Sequence, residues 1–256
     1  TSTLNRTGDG YLTSWTLHDG QLRERQIQAP AVGGGRVLTD TIYDSRGLAV
    51  QRNGAYFDPS APGDVLFVPT GAVHGRTLTS YDHVGRVVAT TFQINGVDYS
   101  TTTTRYGGDH TDVLPPAGAA ATTTWTDGLD RKAKLWTYRS NTLAGTPDET
   151  RFTYTRGDQV ATTTDAAGNV WRFEYDLRGR KVKDTDPDRG TTTYTFDDLG
   201  QQLTSTDARG VTTTSVYDSL GRKTALYQGT EATGTVLAEW TFDTLRRGQP
   251  TSSTRH

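Results

Sequence analysis

The side chains of this chain that could do chemistry are a few histidines and many aspartates. His18, His74, His83, His110 and His256 are scattered along the sequence, and their spacing does not match that of a metal site. The sequence has no cysteine, which excludes disulfides, thiolate ligands and a cysteine nucleophile. We therefore interpret the histidines as surface or turn residues, and we expect no metal and no cofactor.

Two short patterns could suggest a ligand or catalytic site, but neither meets the requirements of one. Residues 186–190 alternate oxygen-bearing side chains as a calcium loop does, yet Arg189 stands where another ligand is needed and no glutamate closes a twelve-residue loop. The glycines at 33–35 are not followed by the Lys-Ser/Thr of a phosphate-binding loop, and no Gly-x-Ser-x-Gly elbow occurs. A carboxylate pair for glycoside hydrolysis stays open, although turns explain most aspartates. We predict that the chain is not an enzyme.

A repeat accounts for most of the aspartates. Tyr154, Tyr175, Phe196 and Tyr217 follow one another at steps of 21 residues. A second series with the same step lies 11 residues after the first three aromatics and consists of Asp165, Asp186 and Asp207. Two interleaved series with one period indicate a repeat architecture.

Several of these aromatics begin the same short word, aromatic-Asp-x-x-Gly-Arg. Residues 175–180 and 217–222 match it closely, 196–201 with substitutions, and earlier copies begin at Tyr43 and Tyr81. Weaker copies begin at Thr126 and at Phe242, where Arg246 replaces the expected glycine. The predicted repeat signature consists of Tyr43, Asp44, Gly47, Tyr81, Asp82, Gly85, Arg86, Tyr154, Tyr175, Asp176, Gly179, Arg180, Phe196, Asp197, Gly200, Tyr217, Asp218, Gly221 and Arg222.

The word predicts a hairpin turn. Aspartate can cap backbone N–H groups at the start of a turn, and glycine takes the left-handed conformation that ends it. A type I turn followed by a glycine bulge is a common way to close a hairpin. With a strand and a turn in every ten or eleven residues, the sequence predicts a continuous antiparallel meander. Segments 53–75 and 95–120 are rich in glycine and proline and are predicted to be longer inserted loops; no helix is predicted.

Alternation within the strands predicts an aromatic face. Trp171, Phe173 and Tyr175 should share one face of a strand, and Arg172 and Glu174 the other. Successive periods should place aromatics at equivalent positions, where they would stack ring on ring as a column. If this face were exposed, the same rings could stack on sugars.

Composition supports an extended sheet and limits the class of partner. The 256 residues include 48 threonines, which suit a half-exposed pleated surface, and only 32% are hydrophobic. The net charge of −2 argues against a nucleic-acid partner, and no apolar run approaches the roughly 20 residues that span a bilayer. The chain opens with Thr1 and has no signal peptide, so we expect a piece of a longer protein. We predict an irregular repeat region at 1–149 and a regular one at 150–256, together forming one array.

The word Tyr-Asp-x-x-Gly-Arg, followed within about six residues by a Thr-Asp turn, resembles the tyrosine-aspartate (YD) repeat of Rhs proteins, bacterial toxin-complex shells and teneurins. Residues 175–186 and 196–207 carry the closest copies. The resemblance implies an all-β fold of antiparallel hairpins forming a continuous curved sheet, a segment of a spiralling shell. One departure is that neither Asp58-Pro59 nor Asp186-Pro187 has the context of the self-cleaving segment that closes such shells.

The resemblance also implies a function. We expect a non-catalytic structural module, part of an Rhs/YD shell that encapsulates a toxin or other cargo, in a secreted or cell-surface protein. Its partner would be the remainder of its own longer chain or an encapsulated toxin domain. The alternative is an adhesive, teneurin-like surface module that binds carbohydrate or protein on the same scaffold.

Overall fold

A computed structural model describes residues 2–4 and 11–256, and all the regular structure in this part of the chain is β. The chain divides into two units. The first runs to Trp125 and includes Trp136–Pro147; the second consists of Thr126–Leu135 and Asp148–His256. None of the described residues lies in a helix that is long and apolar enough to cross a membrane.

The strands of the first unit are β1 (Ser2–Leu4), β2 (Tyr11–Thr13), β3 (Trp15–His18), β4 (Glu24–Pro30), β5 (Arg36–Tyr43), β6 (Ala49–Asp58), β7 (Gly75–Tyr81), β8 (Val87–Ile94), β9 (Val97–Tyr106) and β10 (His110–Leu114). Strands with residues in both units are β11 (Thr122–Thr126) and β12 (Lys132–Thr137). β1 pairs with β2. From β3 to β10 each strand pairs antiparallel with the next one in sequence.

The strands of the second unit are β13 (Asp148–Tyr154), β14 (Val160–Thr164), β15 (Val170–Tyr175), β16 (Lys181–Asp186), β17 (Gly190–Phe196), β18 (Gln202–Thr206), β19 (Thr212–Tyr217), β20 (Lys223–Gln228), β21 (Thr235–Phe242) and β22 (Pro250–Arg255). They also pair antiparallel in sequence order. More than half of residues 150–228 lie in these strands. The predicted all-β, antiparallel fold is confirmed.

The faces of the strands follow the predicted alternation. In β15, Trp171, Phe173 and Tyr175 are half-buried, whereas Arg172 and Glu174 are exposed. Threonine hydroxyls join neighbouring strands, as in the pair Thr195–Thr204 at 2.6 Å. Few apolar side chains are fully enclosed: the buried hydrophobic residues in the described chain are Leu38, Val73, Ala121, Tyr138 and Ala225. The described residues therefore do not enclose a thick apolar core, and most apolar side chains pack along the faces of the sheet.

The structure corrects the two predicted insertions. Only residues 59–74 of segment 53–75 lie outside strands, since β6 extends to Asp58 and β7 begins at Gly75. Segment 95–120 contains all of β9 and β10. Its glycines and prolines mark the short connections, while the threonine run at 101–104 continues the ladder because β-branched residues fit a pleated strand.

Candidate functional site

The YD turn is held by its aspartate. Oδ1 of Asp176 accepts the backbone N–H groups of Arg178 and Arg180, both at 2.9 Å, and Oδ2 accepts Nε of Arg180 at 2.6 Å. The N–H of Gly179 donates to the Asp176 carbonyl at 3.0 Å, and the pairing register shifts at Tyr175. These are the bonds of a type I turn with a bulge, as the sequence predicts.

The same turn recurs through both units. The aspartates whose Oδ1 caps the same two N–H groups are Asp19, Asp44, Asp82, Asp127, Asp165, Asp207 and Asp218. Asp197 caps one, the N–H of Gln201. The residue that closes the turn has positive φ, +82° at Gly179, +88° at Gly200 and +80° at Gly221. The predicted left-handed glycines are confirmed.

The arginine that ends the word links one YD turn to the next. Arg180, held by Asp176, donates from Nη1 to the Asp197 carbonyl at 2.7 Å, and its Cζ lies 4.9 Å from the centre of the Phe196 ring. Equivalent arginine–aromatic pairs, at 4.2–4.6 Å, are Arg23–Tyr43, Arg86–Tyr106, Arg131–Tyr154 and Arg222–Phe242. A cation over a ring face is favourable, so each pair stabilises the contact between successive hairpins.

A tyrosine hydroxyl adds a second link. The hydroxyl donates to a backbone carbonyl just after the preceding YD turn. Tyr175 donates to Val160 at 3.0 Å, and Tyr217 donates to Gln202 at 2.9 Å. The other such donors are Tyr43, Tyr81, Tyr106 and Tyr154. We call each such side-chain link between successive YD turns, whether from arginine, glutamine or a tyrosine hydroxyl, a rung.

Glutamine replaces arginine in alternate rungs of the second unit. Gln159 donates from Nε2 to the Gly179 carbonyl at 2.8 Å. A Cβ on Gly221 would lie 2.7 Å from Nε2 of Gln201, which shows that Gln201 approaches the next turn in the same way. Glycine is needed at these two turns for close approach as well as for its φ angle.

The predicted ring-on-ring column is therefore wrong in its contacts. Arg180 covers Phe196, and Lys223 Nζ lies 5.8 Å from the Tyr217 ring. The ring pairs found in the described chain lie elsewhere, as in Phe92–Tyr99 and Trp125–Trp136. Guanidinium groups occupy the space between successive YD turns because they bond the turn aspartate and also stack on the next aromatic.

Sequence reasoning missed two turns. Asp19 begins one that has neither an aromatic before it nor glycine at its end; Leu22 takes a φ of +61°. Thr155 takes the place of aspartate after Tyr154, with its hydroxyl accepting two N–H groups, and Asp158 closes the turn at φ +62°. The arginine four residues after Asp19 was the available signal.

The turn carboxylates that cap two backbone N–H groups through Oδ1 have lowered pKa values. The backbone N–H of Arg180 lowers the pKa of Asp176, partial burial opposes this, and the Arg180 guanidinium lowers the pKa further. The pKa of Asp218 is lowered in the same way by Arg222. A carboxylate that accepts several N–H bonds favours its charged form.

The aspartates of the other series close the opposite ends of the hairpins. Asp186 accepts the N–H groups of Asp188 and Arg189 through Oδ1, and Oδ2 accepts Nε1 of Trp171 at 3.2 Å. This carboxylate, the centre of the faint calcium pattern, already has protein partners. No group of three metal-ligating side chains occurs in the described ranges 2–4 and 11–256.

Three of the histidines that the sequence predicts to be surface or turn residues each contact a nearby polar side chain. His74 contacts Asn95 Oδ1 at 3.3 Å, and His110 Nδ1 is 2.9 Å from Asp109. His256 contacts Glu239 at 3.1 Å. His110 also stacks on Trp125, with 4.5 Å between ring centres.

A buried polar network fastens loop 59–74 to the first unit. Gln26 and Gln28 are fully buried. Gln26 accepts the N–H of Phe67 at 3.0 Å and donates to its carbonyl at 2.8 Å, as a neighbouring strand would. Gln28 accepts the N–H of Gly63 and donates to the carbonyl of Val65. The two amides thus hold an extended stretch of loop.

Asp40 is the acceptor at the centre of this network. Its carboxylate accepts Gln26, Asn53 and Tyr56, and Arg25 lies 3.5 Å away. Burial and the bond to Asp40 raise the pKa of Tyr56. A cavity of about 170 Å³ adjoins Asp40 and is lined in part by Arg25 and Arg76. The network satisfies buried polar groups that would otherwise oppose folding.

Comparison with known proteins agrees with this geometry. Residues 154–191 match the RHS Repeat family model. The crystal structure of TcdB2-TccC3 without its hypervariable C-terminal region matches 96% of the chain with a TM-score of 0.72 and 17% identity. A Tc holotoxin pore from Photorhabdus luminescens matches 99% with a TM-score of 0.73 and 16% identity. The chain spans 14% and 15% of those two chains. No curated protein matches it in sequence.

The fold and its turns define a class, an antiparallel sheet built from YD hairpins. Within that class, the predicted resemblance to the Rhs/YD-repeat family is confirmed by the RHS Repeat match at residues 154–191 and by the shared fold.

Proposed function

We propose that this chain is a non-catalytic wall module of an Rhs/YD shell that encloses a toxin or other cargo, within a secreted or cell-surface protein. The observation that carries the proposal is the run of rungs, which joins successive YD turns and lets a sheet extend sideways without a thick core. Its fold also matches part of a TcdB2-TccC3 chain. The partner is the remainder of a longer chain or a toxin domain held by it.

A structural role is consistent with how the ionisable groups are used. The turn aspartates hold backbone N–H groups and arginines, and the histidines in the described chain do not converge. General acid–base catalysis needs a proton donor and acceptor within reach of a bound substrate. We therefore expect no hydrolase, transferase or nuclease activity, with or without added metal ions.

Protection of cargo in the parent polypeptide tests the proposal. A cargo segment should resist protease while the wall is intact and become cleavable in an Arg180→Asp/Arg222→Asp variant, which breaks two rungs. The control is Arg172→Asp, an exposed strand position outside the rungs. Equal cleavage of the cargo in all three proteins would contradict enclosure.

A second candidate, the adhesive surface module, is favoured by one observation. Phe92 and Tyr99 form an edge-to-face pair, 6.2 Å between ring centres, and are 39% and 73% exposed. Exposed rings can stack on sugar faces. A glycan array separates the two functions, since binding that Tyr99→Ala abolishes would favour the adhesive module.

A further inference from the structure

The YD turns of the second unit present a row of exposed leucines. The leucine row consists of Leu129, Leu177, Leu199, Leu220 and Leu245, which are 68%, 108%, 85%, 74% and 87% exposed. Each follows a turn aspartate by one or two residues. The turn itself requires aspartate and glycine, and polar residues are usual between them. Turn chemistry therefore does not explain the leucines.

The opposite ends of the same hairpins differ. Their turns carry Ala166, Ala167, Ala208 and Arg209. In the described part of these turns no large apolar side chain is exposed. The row is continuous from Leu177 to Leu245, and the turn at 155–159, between Leu129 and Leu177, has no leucine. Apolar groups that follow one another at one edge are a feature of interaction surfaces rather than of scattered surface residues.

The spacing of the leucine row restricts what can cover it. Successive YD turns in a meander are two strands apart, about 10 Å. A partner that meets the row along its length must have contacts at the same interval. From Leu177 to Leu245 the row itself has that interval. A two-fold pairing places the same patch on both partners.

We propose that the leucine row is a self-association surface, on which the leucine row of a second copy packs in the antiparallel direction. The second unit has six YD turns, which begin at Asp127, Thr155, Asp176, Asp197, Asp218 and Asp243. In the dimer the first turn of one copy meets the last turn of the other, and the two-fold axis passes between turns 176–180 and 197–201. Leu177 of each copy meets Leu199 of the other.

The charges of the turns agree with this direction. Near the axis, Arg178 faces Asp198 of the second copy. At the outer ends, Asp130 faces Arg246 and Arg247 of the second copy. Opposite charges at both places favour the antiparallel arrangement. A parallel arrangement would place each charged residue opposite the same residue of the other copy, so that like charges meet.

The association should be reversible, because a single row of turns is smaller than the roughly 800 Å² per partner of a standard interface. Sedimentation velocity of the 256-residue chain over increasing concentration should show a monomer–dimer equilibrium. Leu177→Asp/Leu199→Asp should shift it to monomer by at least tenfold in the dissociation constant. The matched control, Ala167→Asp/Ala208→Asp at the opposite edge, should leave the dimer intact. A monomeric wild-type chain, or equal association of both variants, would overturn the proposal.

Charge reversal tests the direction of packing and does not depend on the leucine variant folding. Arg178→Asp and Asp198→Arg should each weaken self-association, since like charges then meet at the axis. An equimolar mixture of the two variants should form a heterodimer, because each restores the partner of the other. Arg178 also donates to the Asp198 carbonyl of its own chain, so its replacement could disturb the fold. Circular dichroism therefore checks that each variant is folded. Failure of the mixture to associate more strongly than either variant alone would refute the antiparallel row.

Discussion

The residue that closes each YD turn is constrained by its positive φ. Gly200 and Gly221 have φ angles of +88° and +80°. A Cβ on Gly200 would meet no atom within 4 Å, whereas one on Gly221 would lie 2.7 Å from Gln201 Nε2. Substitution of Gly200 therefore measures backbone strain alone, whereas substitution of Gly221 measures backbone strain together with displacement of the Gln201 side chain.

Alanine at these two glycines should give different losses of stability. Gly200→Ala should lower the free energy of unfolding by about 1–2 kcal/mol, the cost of a left-handed conformation for an L-residue. Gly221→Ala should cost more, because it also displaces Gln201. Chemical denaturation measures both values, and Gly221→Ala in a Gln201→Ala background should fall back to the Gly200→Ala value. Equal costs in the wild-type background would contradict the close approach of Gln201.

The tyrosine hydroxyl of the rung can be removed at one position and added at another. Tyr175→Phe deletes the bond to the Val160 carbonyl and should lower the free energy of unfolding by about 1 kcal/mol. Phe196 occupies the equivalent place in the next repeat, where the corresponding carbonyl is that of Lys181. Phe196→Tyr should therefore raise stability by a similar amount. Thermal unfolding of both variants provides the comparison, and opposite signs are the expected result.

Among the elements, the hairpins were predictable from sequence because local chemistry dictates them. Aspartate capping, left-handed glycine and alternating strands act within ten residues, so a 21-residue period is enough to place the turns of β15 to β20. The turn at Asp19 was missed because leucine there accepts the positive φ that glycine usually supplies.

The rungs and the polar network were not predictable in the same way. Arg180 reaches Phe196 only after β16 and β17 have paired, so its partner is set by register and not by local sequence. Gln26 and Gln28 look like surface residues of a strand until loop 59–74 covers them. Contacts of this kind depend on distant segments, and an aromatic column was the simpler expectation from spacing alone.

Loop 59–74 should come free when its glutamine partner is removed. Gln26→Ala leaves the N–H and carbonyl of Phe67 and one oxygen of Asp40 with fewer partners, at about 1–3 kcal/mol for each buried group left unsatisfied. Limited proteolysis should then cut within residues 59–74 faster than in the wild-type chain. Gln159→Ala, a glutamine in the second unit, serves as the control. Unchanged cleavage in Gln26→Ala would show that the network does not hold the loop.

Over the whole molecule, ten aspartates in turns share one electrostatic feature. The pKa values are lowered at Asp19, Asp44, Asp82, Asp127, Asp165, Asp176, Asp186, Asp207, Asp218 and Asp243. Each such group binds its proton less tightly in the folded chain than in the unfolded one. Its contribution to stability is therefore present above the ordinary aspartate pKa and is lost as pH falls through the lowered value.

Because the same turn is repeated, these contributions add along the chain and should make unfolding by acid steep. Stability should be nearly constant from neutral pH down to about 4, close to the unfolded pKa of aspartate, and should then fall sharply. Circular dichroism during acid titration measures the transition. Asp176→Asn/Asp218→Asn should be less stable at pH 7 but lose less of its stability on acidification, because two of the shifted groups are gone. Asp64→Asn, in loop 59–74, is the control and should keep the wild-type slope. If the double variant kept the same pH dependence as the wild-type chain, the turn carboxylates would not be the groups whose protonation unfolds the sheet.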